Sequence, residues 1–185
     1  MGAIAWVRAE LRDGSDPSVL IAVRHALLQP SGYLIDPFTG DDFIQFDALP
    51  GNYYLAIRHR NHLGVMTATP LTLTAAAAEV NFTSPSTATF GTNARKTVGA
   101  VQVLWAGDVT GNHQLKYTGS GNDRDPILVK VGSTAPNSIV AGQYVREDVN
   151  MDAVVKYTGS ANDRDPILVN VGSTTPNSTR TEQVP

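Results

Sequence analysis

The sequence contains no cysteine and only four histidines among its 185 residues. Without cysteine the chain can form neither disulfide bonds nor thiolate sites for zinc or iron–sulfur clusters. A zinc or iron site would have to rest on the four histidines, which are scattered along the chain. The composition therefore excludes disulfide scaffolds and leaves little basis for zinc or iron chemistry.

Positive charge and long apolar stretches are also scarce. Lys and Arg number 14 against 17 Asp and Glu, which gives a net charge of −3, whereas a nucleic-acid surface needs a basic excess. No stretch approaches the roughly 18 apolar residues of a membrane span. The N-terminus lacks the basic and apolar regions of a secretion signal, and we interpret Met1-Gly2 as the start of an expressed or excised segment. The sequence thus predicts no nucleic-acid partner and no membrane span.

What the chain does have, from about Ala3 to Phe90, is a series of short apolar segments separated by turn residues. About seven such segments, rich in β-branched residues and punctuated by Gly, Pro, Asp and Asn, predict an antiparallel β-sandwich. The last of them is Val80–Thr83. The pattern Leu-Pro-Gly-x-Tyr-x-Leu-x-Ile at 49–57 resembles the strand entry of transthyretin-like or carboxypeptidase-regulatory-like sandwich domains, and the predicted domain is transthyretin-like or immunoglobulin-like. We place this predicted domain at residues 1–95.

The second part of the chain, residues 96–185, contains an internal repeat. Residues 115–138 and 155–178 are identical at 20 of 24 positions, at a constant offset of 40. Just upstream of each copy lies an oxygen-rich stretch, Asp-Val-Thr-Gly-Asn in the first and Asp-Val-Asn-Met-Asp in the second. The two repeats therefore extend over about 108–140 and 148–180.

Alternating oxygen side chains that enter a short loop are typical of a site for a hard cation such as Ca²⁺. In an EF-hand loop the ligands fall at positions 1, 3, 5, 7 (a backbone carbonyl) and 12. The first repeat offers Asp108, Thr110, Asn112 and the Gln114 carbonyl. The second repeat offers Asp148, Asn150, Asp152 and the Val154 carbonyl.

Both loops depart from the EF-hand pattern in two places. Position 12 of the second loop is Gly159, which has no side chain, so the closing carboxylate must come later in a longer loop. The candidates are Asp123 or Asp125 in the first repeat, and Asp163 or Asp165 in the second. Position 6, normally Gly, is His113 or Ala153, so a left-handed backbone would be strained there. The first repeat also has fewer carboxylates, which predicts weaker binding.

A short helix is expected after each loop. In the second repeat Asp165 is the predicted N-cap, Pro166 the first helical residue and Gly172 the C-terminal stop. The order of loop and helix, with the KYTGS-x-NDRDPIL segment, resembles the dockerin-like calcium repeats near the C-terminus of large secreted proteins of Bacteroidota-type bacteria. That resemblance implies an extracellular or cell-surface location and a non-catalytic role. The tail, Thr179–Pro185, is expected to fray.

The remaining polar and aromatic residues give weaker signals. Arg58–His62 resembles a catalytic or metal cluster, but His59 and His62 differ by three positions and point to opposite strand faces. We interpret the segment as the solvent end of a strand. Arg124 and Arg164 are expected to bridge carboxylates or to reach the other repeat. The aromatic residues that could stack on sugars if exposed, but more often fill a core, are Trp6, Tyr33, Tyr53, Tyr54 and Trp105.

The sequence therefore predicts a mainly β, non-enzymatic chain, in which a β-sandwich precedes a tandem dockerin-like module whose two loops are stabilised by bound calcium. A binding partner protein or self-association is expected. The alternatives are a self-assembling subunit of an extracellular filament or sheath, and a carbohydrate-binding module. An enzyme is the least favoured class because no set of residues meets the minimal requirements for acid–base or nucleophilic catalysis.

Overall fold

A computed structural model describes residues 4–185, so Met1-Gly2 and Ala3 lie outside the described residues. The described chain forms twelve strands and two helices, and all of its strand pairs are antiparallel. This confirms the prediction of a mainly β chain with antiparallel sheets.

The described chain divides into two compact units with interleaved bounds. The first, here called the sheet unit, comprises residues 4–59, 64–104 and 183–185. The second, here called the repeat unit, comprises residues 60–63 and 105–182. The repeat unit therefore takes a four-residue piece from the first half of the sequence.

The sheet unit is built around one six-stranded antiparallel sheet in the order β3-β2-β1-β4-β5, with β6 also paired to β4. A separate hairpin joins β7 to β8. The strands are β1 Ala5–Asp13, β2 Leu20–Leu28, β3 Leu34–Ile35, β4 Gly51–His59, β5 Val65–Met66, β6 Leu71–Leu73, β7 Lys96–Val98 and β8 Val101–Val103.

Alternation along β1 explains its central place in this sheet. Ala5, Val7, Ala9 and Leu11 are at most 4% exposed and provide the apolar face. The other face carries Glu10, which is 1% exposed.

Three arginines surround the Glu10 carboxylate. Arg8 and Arg58 approach one oxygen at 3.0 and 3.1 Å, and Arg12 approaches the other at 2.7 Å. A buried charge is tolerated when it is paired with opposite charges. The three arginines therefore allow β1 to stay in the middle of the sheet with a buried carboxylate on its second face.

The prediction of a strand at Val80–Thr83 is wrong. That segment is irregular, and its turns are held by Arg95, whose guanidinium donates to the carbonyls of Phe82, Ser84 and Thr87. The apolar residues there gave a strand-like pattern, but the segment forms turns in which the Phe82 carbonyl binds the Arg95 side chain and the Thr83 carbonyl accepts the Gln102 N–H of β8 at 2.9 Å.

The repeat unit contains both copies of the repeat, and the copies exchange strands. The first copy forms β9 (Gln114–Lys116), α1 (Arg124–Val131) and β10 (Ile139–Ala141). The second copy forms β11, α2 and β12, at Val154–Lys156, Arg164–Val171 and Thr179–Thr181. The last strand of the first copy, β10, pairs with β11 of the second, and β12 of the second copy pairs with β9 of the first.

The threonines at equivalent positions repeat this exchange. Thr118 donates to the Asn177 side chain at 2.6 Å, and Thr158 donates to the Asn137 side chain at 2.7 Å.

The prediction that the C-terminal tail frays is wrong: Thr179–Thr181 is a paired strand, and Val184 is only 8% exposed. The pairing partner is about 65 residues away in sequence, which local composition does not indicate.

The main core of the repeat unit draws equally on both copies. Its fully buried members are Val109, Ile127, Val131, Val149, Val155 and Ile167. Since each copy supplies half of one core, neither has a complete apolar interior of its own.

Each helix starts two residues earlier than the sequence predicted. α2 begins at Arg164, so Pro166 is the third helical residue rather than the first. The capping acceptor is the Asn162 side chain, which accepts the Asp165 N–H at 2.9 Å, and not Asp165 itself. Pro is tolerated there because N–H groups of the first turn have no partner within the helix. The predicted stop is confirmed, since Gly172 ends α2 with φ 117°.

Both helices contain eight residues. No helix within residues 4–185 has the length and apolarity needed to cross a membrane.

Candidate cation-binding loops

The second loop, residues 148–165, is shaped by its own oxygen side chains. The two Asp148 oxygens accept the N–H groups of Asp152 and Ala153 at 3.1 and 3.2 Å. Asn150 accepts the Asp152 N–H at 2.9 Å, and Asp152 accepts the Val154 N–H at 2.9 Å. Each predicted side-chain ligand therefore folds the backbone around itself in a turn of the kind that Asp and Asn favour.

The first loop, residues 108–125, repeats this arrangement with fewer charges. Asp108 accepts the N–H groups of Asn112 and His113, both at 3.1 Å, and Asn112 accepts the Gln114 N–H at 2.9 Å. Thr110, at the third position, instead donates its hydroxyl hydrogen to Asp123 at 2.9 Å. Equivalent positions thus build equivalent turns in both loops.

Position 6 of each loop has a left-handed backbone, as the EF-hand pattern requires. His113 and Ala153 both have φ 64°, so these non-glycine residues carry the strain that the sequence suggested. The His113 ring also lies 3.1 Å from the Glu182 carboxylate.

The carbonyls predicted at position 7 are those of Gln114 and Val154, directly after the left-handed residues. His113 and Ala153 give their carbonyls to the Glu182 and Gly142 N–H groups across the strand pairs. Because carbonyl direction alternates along a strand, we expect the Gln114 and Val154 carbonyls to point away from that partner strand. The N–H groups of these two residues are accepted by the loop side chains of Asn112 and Asp152.

The structure separates the two candidates for the closing carboxylate. Asp163 is 0% exposed, and its oxygens accept the N–H groups of Val149, Asn150 and Lys156 at 2.7, 3.2 and 2.8 Å. Asp123 is likewise 0% exposed and accepts N–H groups from Thr110 and Lys116 at 3.0 and 2.8 Å. Both carboxylates therefore join the beginning of a loop to its end.

Asp125 and Asp165 have a different environment. Their side chains are 58% and 56% exposed. Each accepts an amide hydrogen from the capping residue, Asn122 or Asn162, at 2.8 and 2.7 Å. They stabilise the helix start and do not line the loops.

Electrostatics couples the first and the closing carboxylate of each loop. Burial, with a smaller contribution from the nearby Asp148 charge, raises the pKa of Asp163 to about 6 against the lowering effect of three backbone hydrogen bonds. Burial also raises the pKa of Asp123 to about 6, with a smaller contribution from Asp108. Burial is likewise the main cause of the raised pKa values of Asp108 and Asp148. Each loop thus holds paired carboxylates in surroundings that disfavour negative charge.

Within the described chain, no three His, Cys, Asp or Glu side chains gather in a way that could hold a metal ion. The predicted ligand sets also include Asn and Thr side chains and backbone carbonyls, which are ordinary calcium ligands. Side-chain oxygens of these types are ones that a hard cation takes as ligands.

The interpretation of Arg58–His62 as a solvent-facing strand end is wrong for its central residues. Asn61 is 0% exposed, and its side-chain N–H group donates to the carbonyls of Arg146 and Asp148, both at 2.7 Å. Arg60 donates to the Val145 carbonyl at 3.0 Å and lies 3.4 Å from an Asp148 carboxylate oxygen. No local signal identifies these contacts, because the partners are at least 85 residues away.

The two arginines between paired acids lie at the helix starts of their own repeats, and Arg164 also interacts electrostatically with Tyr117 of the first repeat. Arg124 and Arg164 each lie 3.4 Å from the adjacent aspartate, Asp125 or Asp165. Their guanidinium groups also lie 5.2 and 5.0 Å from the ring centres of Tyr117 and Tyr157. They form part of the helix start and do not contact the loop carboxylates.

The aromatic residues considered for sugar stacking have different environments. Trp6 and Tyr33 are 45% and 64% exposed. Tyr54 packs edge-on against Phe90, and Trp105 is covered by the Arg180 guanidinium.

Comparisons of this chain with protein-family models, with curated proteins and with solved structures find no match. Its function therefore has to be inferred from the geometry of the loops.

Proposed function

We propose that the repeat unit is a non-catalytic calcium-binding module, in which two dockerin-like repeats bind one Ca²⁺ each as part of an extracellular structural or interaction protein. The supporting observation is the same in both loops. Side chains at positions 1 and 5 turn the backbone around an oxygen-lined centre, position 6 is left-handed, and a buried aspartate closes the loop. Turn formation alone does not require two buried carboxylates close together.

The first loop would supply Asp108, Thr110, Asn112, the Gln114 carbonyl and Asp123. The second would supply Asp148, Asn150, Asp152, the Val154 carbonyl and Asp163. Asp125 and Asp165 are the less favoured closing candidates because their side chains are exposed and occupied by the helix caps. Bound calcium would supply positive charge to carboxylates whose burial disfavours ionisation.

Calcium in this role stabilises the fold rather than taking part in a reaction. The two loops lead into strands that exchange between the repeats, so ordering one loop supports the pairing of both copies. A module of this kind suits a protein–protein contact outside the cell, where millimolar calcium keeps weak sites filled. Binding of a glycan stays a prediction.

A second candidate function is self-assembly into an extracellular filament or sheath. It is favoured by Val19, Leu20 and Ile21, which are 44–45% exposed at the start of β2. Outside its end at Leu27–Leu28, the described part of β2 pairs on one side only, with β1. An apolar strand at a sheet edge can pair with another chain.

Calorimetric titration with calcium, together with melting curves in calcium and in EGTA, tests the main proposal. Two binding events and a lower melting temperature in EGTA are expected. Asp152→Asn is the sharpest variant, because asparagine keeps the acceptor for the Val154 N–H and occupies the equivalent position of the first loop. It should weaken calcium binding at the second site without lowering stability in EGTA.

Asp165→Asn is the matched control, since it removes the same charge at an exposed aspartate of the same repeat. Its calcium affinity should stay close to that of the parent. An absence of binding heat, with equal melting temperatures in calcium and EGTA, would refute the calcium proposal.

A further inference from the structure

The two loops are nearly identical in sequence, yet their first carboxylates have different neighbours. The Arg60 guanidinium lies 3.4 Å from the Asp148 carboxylate, and the two side chains are only 12% and 4% exposed. The described residues place no arginine or lysine within salt-bridge distance of Asp108, whose electrostatic neighbour is the more exposed His113. The Arg146 guanidinium lies against Gly111 of the first loop, but Arg146 is exposed. Within the described residues, the second loop therefore has a buried guanidinium at its first carboxylate, and the first loop has none there.

Arg60 is held firmly in this position. Its guanidinium donates to the carbonyls of Val145 and Asp148 at 3.0 and 3.3 Å. The same group lies 4.0 Å from the centre of the Tyr144 ring. Because its contacts come from both carbonyls and an aromatic face, the charge stays beside the loop.

The backbone of the second loop has a separate anchor beside Arg60. The Asn61 amide donates to the Arg146 and Asp148 carbonyls at 2.7 Å each, so it already fixes the chain that enters the loop. Arg60 adds to this anchor a hydrogen bond to the Val145 carbonyl and a positive charge at the Asp148 carboxylate.

We infer that Arg60 is the built-in counter-ion of the second loop, which stabilises that loop without calcium and lowers its affinity for calcium. The effect on calcium affinity rests on the proposed function, whereas the stabilisation of the loop without calcium does not. The second loop, with three carboxylates against two in the first, is predicted from sequence to bind more tightly. Arg60 brings the two affinities closer together.

The direction of the effect of Arg60 on calcium affinity follows from charge repulsion and from thermodynamic linkage. A guanidinium and a calcium ion beside the same carboxylate repel each other, and both draw on its negative charge. By reciprocity, if bound calcium weakens the contact between Arg60 and Asp148, Arg60 weakens calcium binding by the same factor. The opposite effect, in which Arg60 assists binding by ordering the loop, is small because Asn61 holds the backbone in its absence.

The test compares Arg60→Gln with the parent in the full chain. In EGTA the variant should melt several degrees lower, and saturating calcium should remove most of that deficit. The affinity of the second site for calcium should rise about fivefold or more, as for a typical coupling between charged sites. Arg60→Lys keeps the charge and should give an affinity close to that of the parent.

Arg180→Gln is the matched control. Arg180 also lies in the repeat unit, covers an aromatic ring at 3.5 Å and donates to a carbonyl, that of Asn170, but it contacts no carboxylate in the described chain. Its deficit in melting temperature should be the same in calcium and in EGTA. Equal deficits for Arg60→Gln in the two conditions, or a lower calcium affinity, would overturn the inference.

A double-mutant cycle in EGTA keeps the inference testable if the parent binds no calcium. Arg60→Gln should cost stability in the parent but little in an Asp148→Asn background, because no carboxylate then needs a counter-ion. Coupling in EGTA without calcium binding would refute the proposed function and leave the counter-ion role intact. An absence of coupling would refute the counter-ion role itself.

Discussion

At the scale of single residues, the loops place strained backbone where calcium loops usually have glycine. Ala153 has φ 64° and Met151 has φ 62°, both in the left-handed region that β-carbon sterics disfavour. These conformations are held in place by the turns around Asp148 and Asp152. The loop shape is therefore imposed by side-chain acceptors against the local preference of the backbone.

Ala153→Gly should stabilise the protein by about 0.5–1 kcal/mol, because glycine adopts positive φ without strain and the exposed methyl group has little packing to lose. The measurement is the free energy of unfolding in denaturant, in EGTA and in calcium. Ala141→Gly, in the exposed end of β10 with an ordinary backbone, is the control and should be destabilising. A similar loss for both variants would contradict the role of the left-handed turn.

At the scale of elements, the repeats are joined by reciprocal strand exchange. Leu115 in β9 is 0% exposed, and the strand that pairs with it is β12, from the far end of the other copy. Helix α1 and strand β10 separate β9 from the second repeat in sequence. The last strand of each repeat thus pairs with the strand that follows the loop of the other repeat, and not with the one in its own repeat.

A chain that ends at Ser178 should be strongly destabilised, because it leaves the backbone of β9 without its pairing strand and uncovers Leu115. Hydrogen exchange should show loss of amide protection at Gln114–Lys116, together with a lower melting temperature. A chain that ends at Glu182 keeps β12 and serves as the control. Equal protection of β9 in the two shortened chains would show that β12 does not hold it.

At the scale of the whole molecule, the repeat unit includes a segment that the sequence order assigns to the preceding domain. Leu63 is 2% exposed and packs with Leu115 and Val171, and Asn61 anchors the entry to the second loop. The domain bounds predicted from sequence, 1–95 and 96–185, stay a prediction. The second of these ranges lacks residues 60–63, which belong to the repeat unit.

A fragment comprising residues 96–185 should therefore fold poorly even in calcium. Loss of a buried leucine alone typically costs about 2–5 kcal/mol, a large part of the stability of so small a unit. Circular dichroism melting in calcium is the measurement. Attaching residues 58–64 through a flexible linker should restore a cooperative transition. A fragment that melts as cooperatively without that segment would show that residues 60–63 are dispensable.

Much of the local structure was predictable because its causes are local. The helix stop at Gly172, the left-handed position 6 and the alternation of β1 follow from residue type and spacing within a few positions. The helix start was misplaced by two residues because Asn162 and Asp165 are both good caps, and only the folded backbone decides which side chain accepts.

The sequence by itself determined the repeat, the turn-forming oxygens and the antiparallel β character of the chain. Each of these depends on contacts between neighbours in sequence or on strict periodicity. The tertiary structure alone decided that Asp163 is buried while Asp165 is exposed, that β12 pairs with β9, and that Arg60 lies beside Asp148. Long-range pairing and burial depend on how distant segments meet, and burial is what gives a carboxylate its need for a counter-ion.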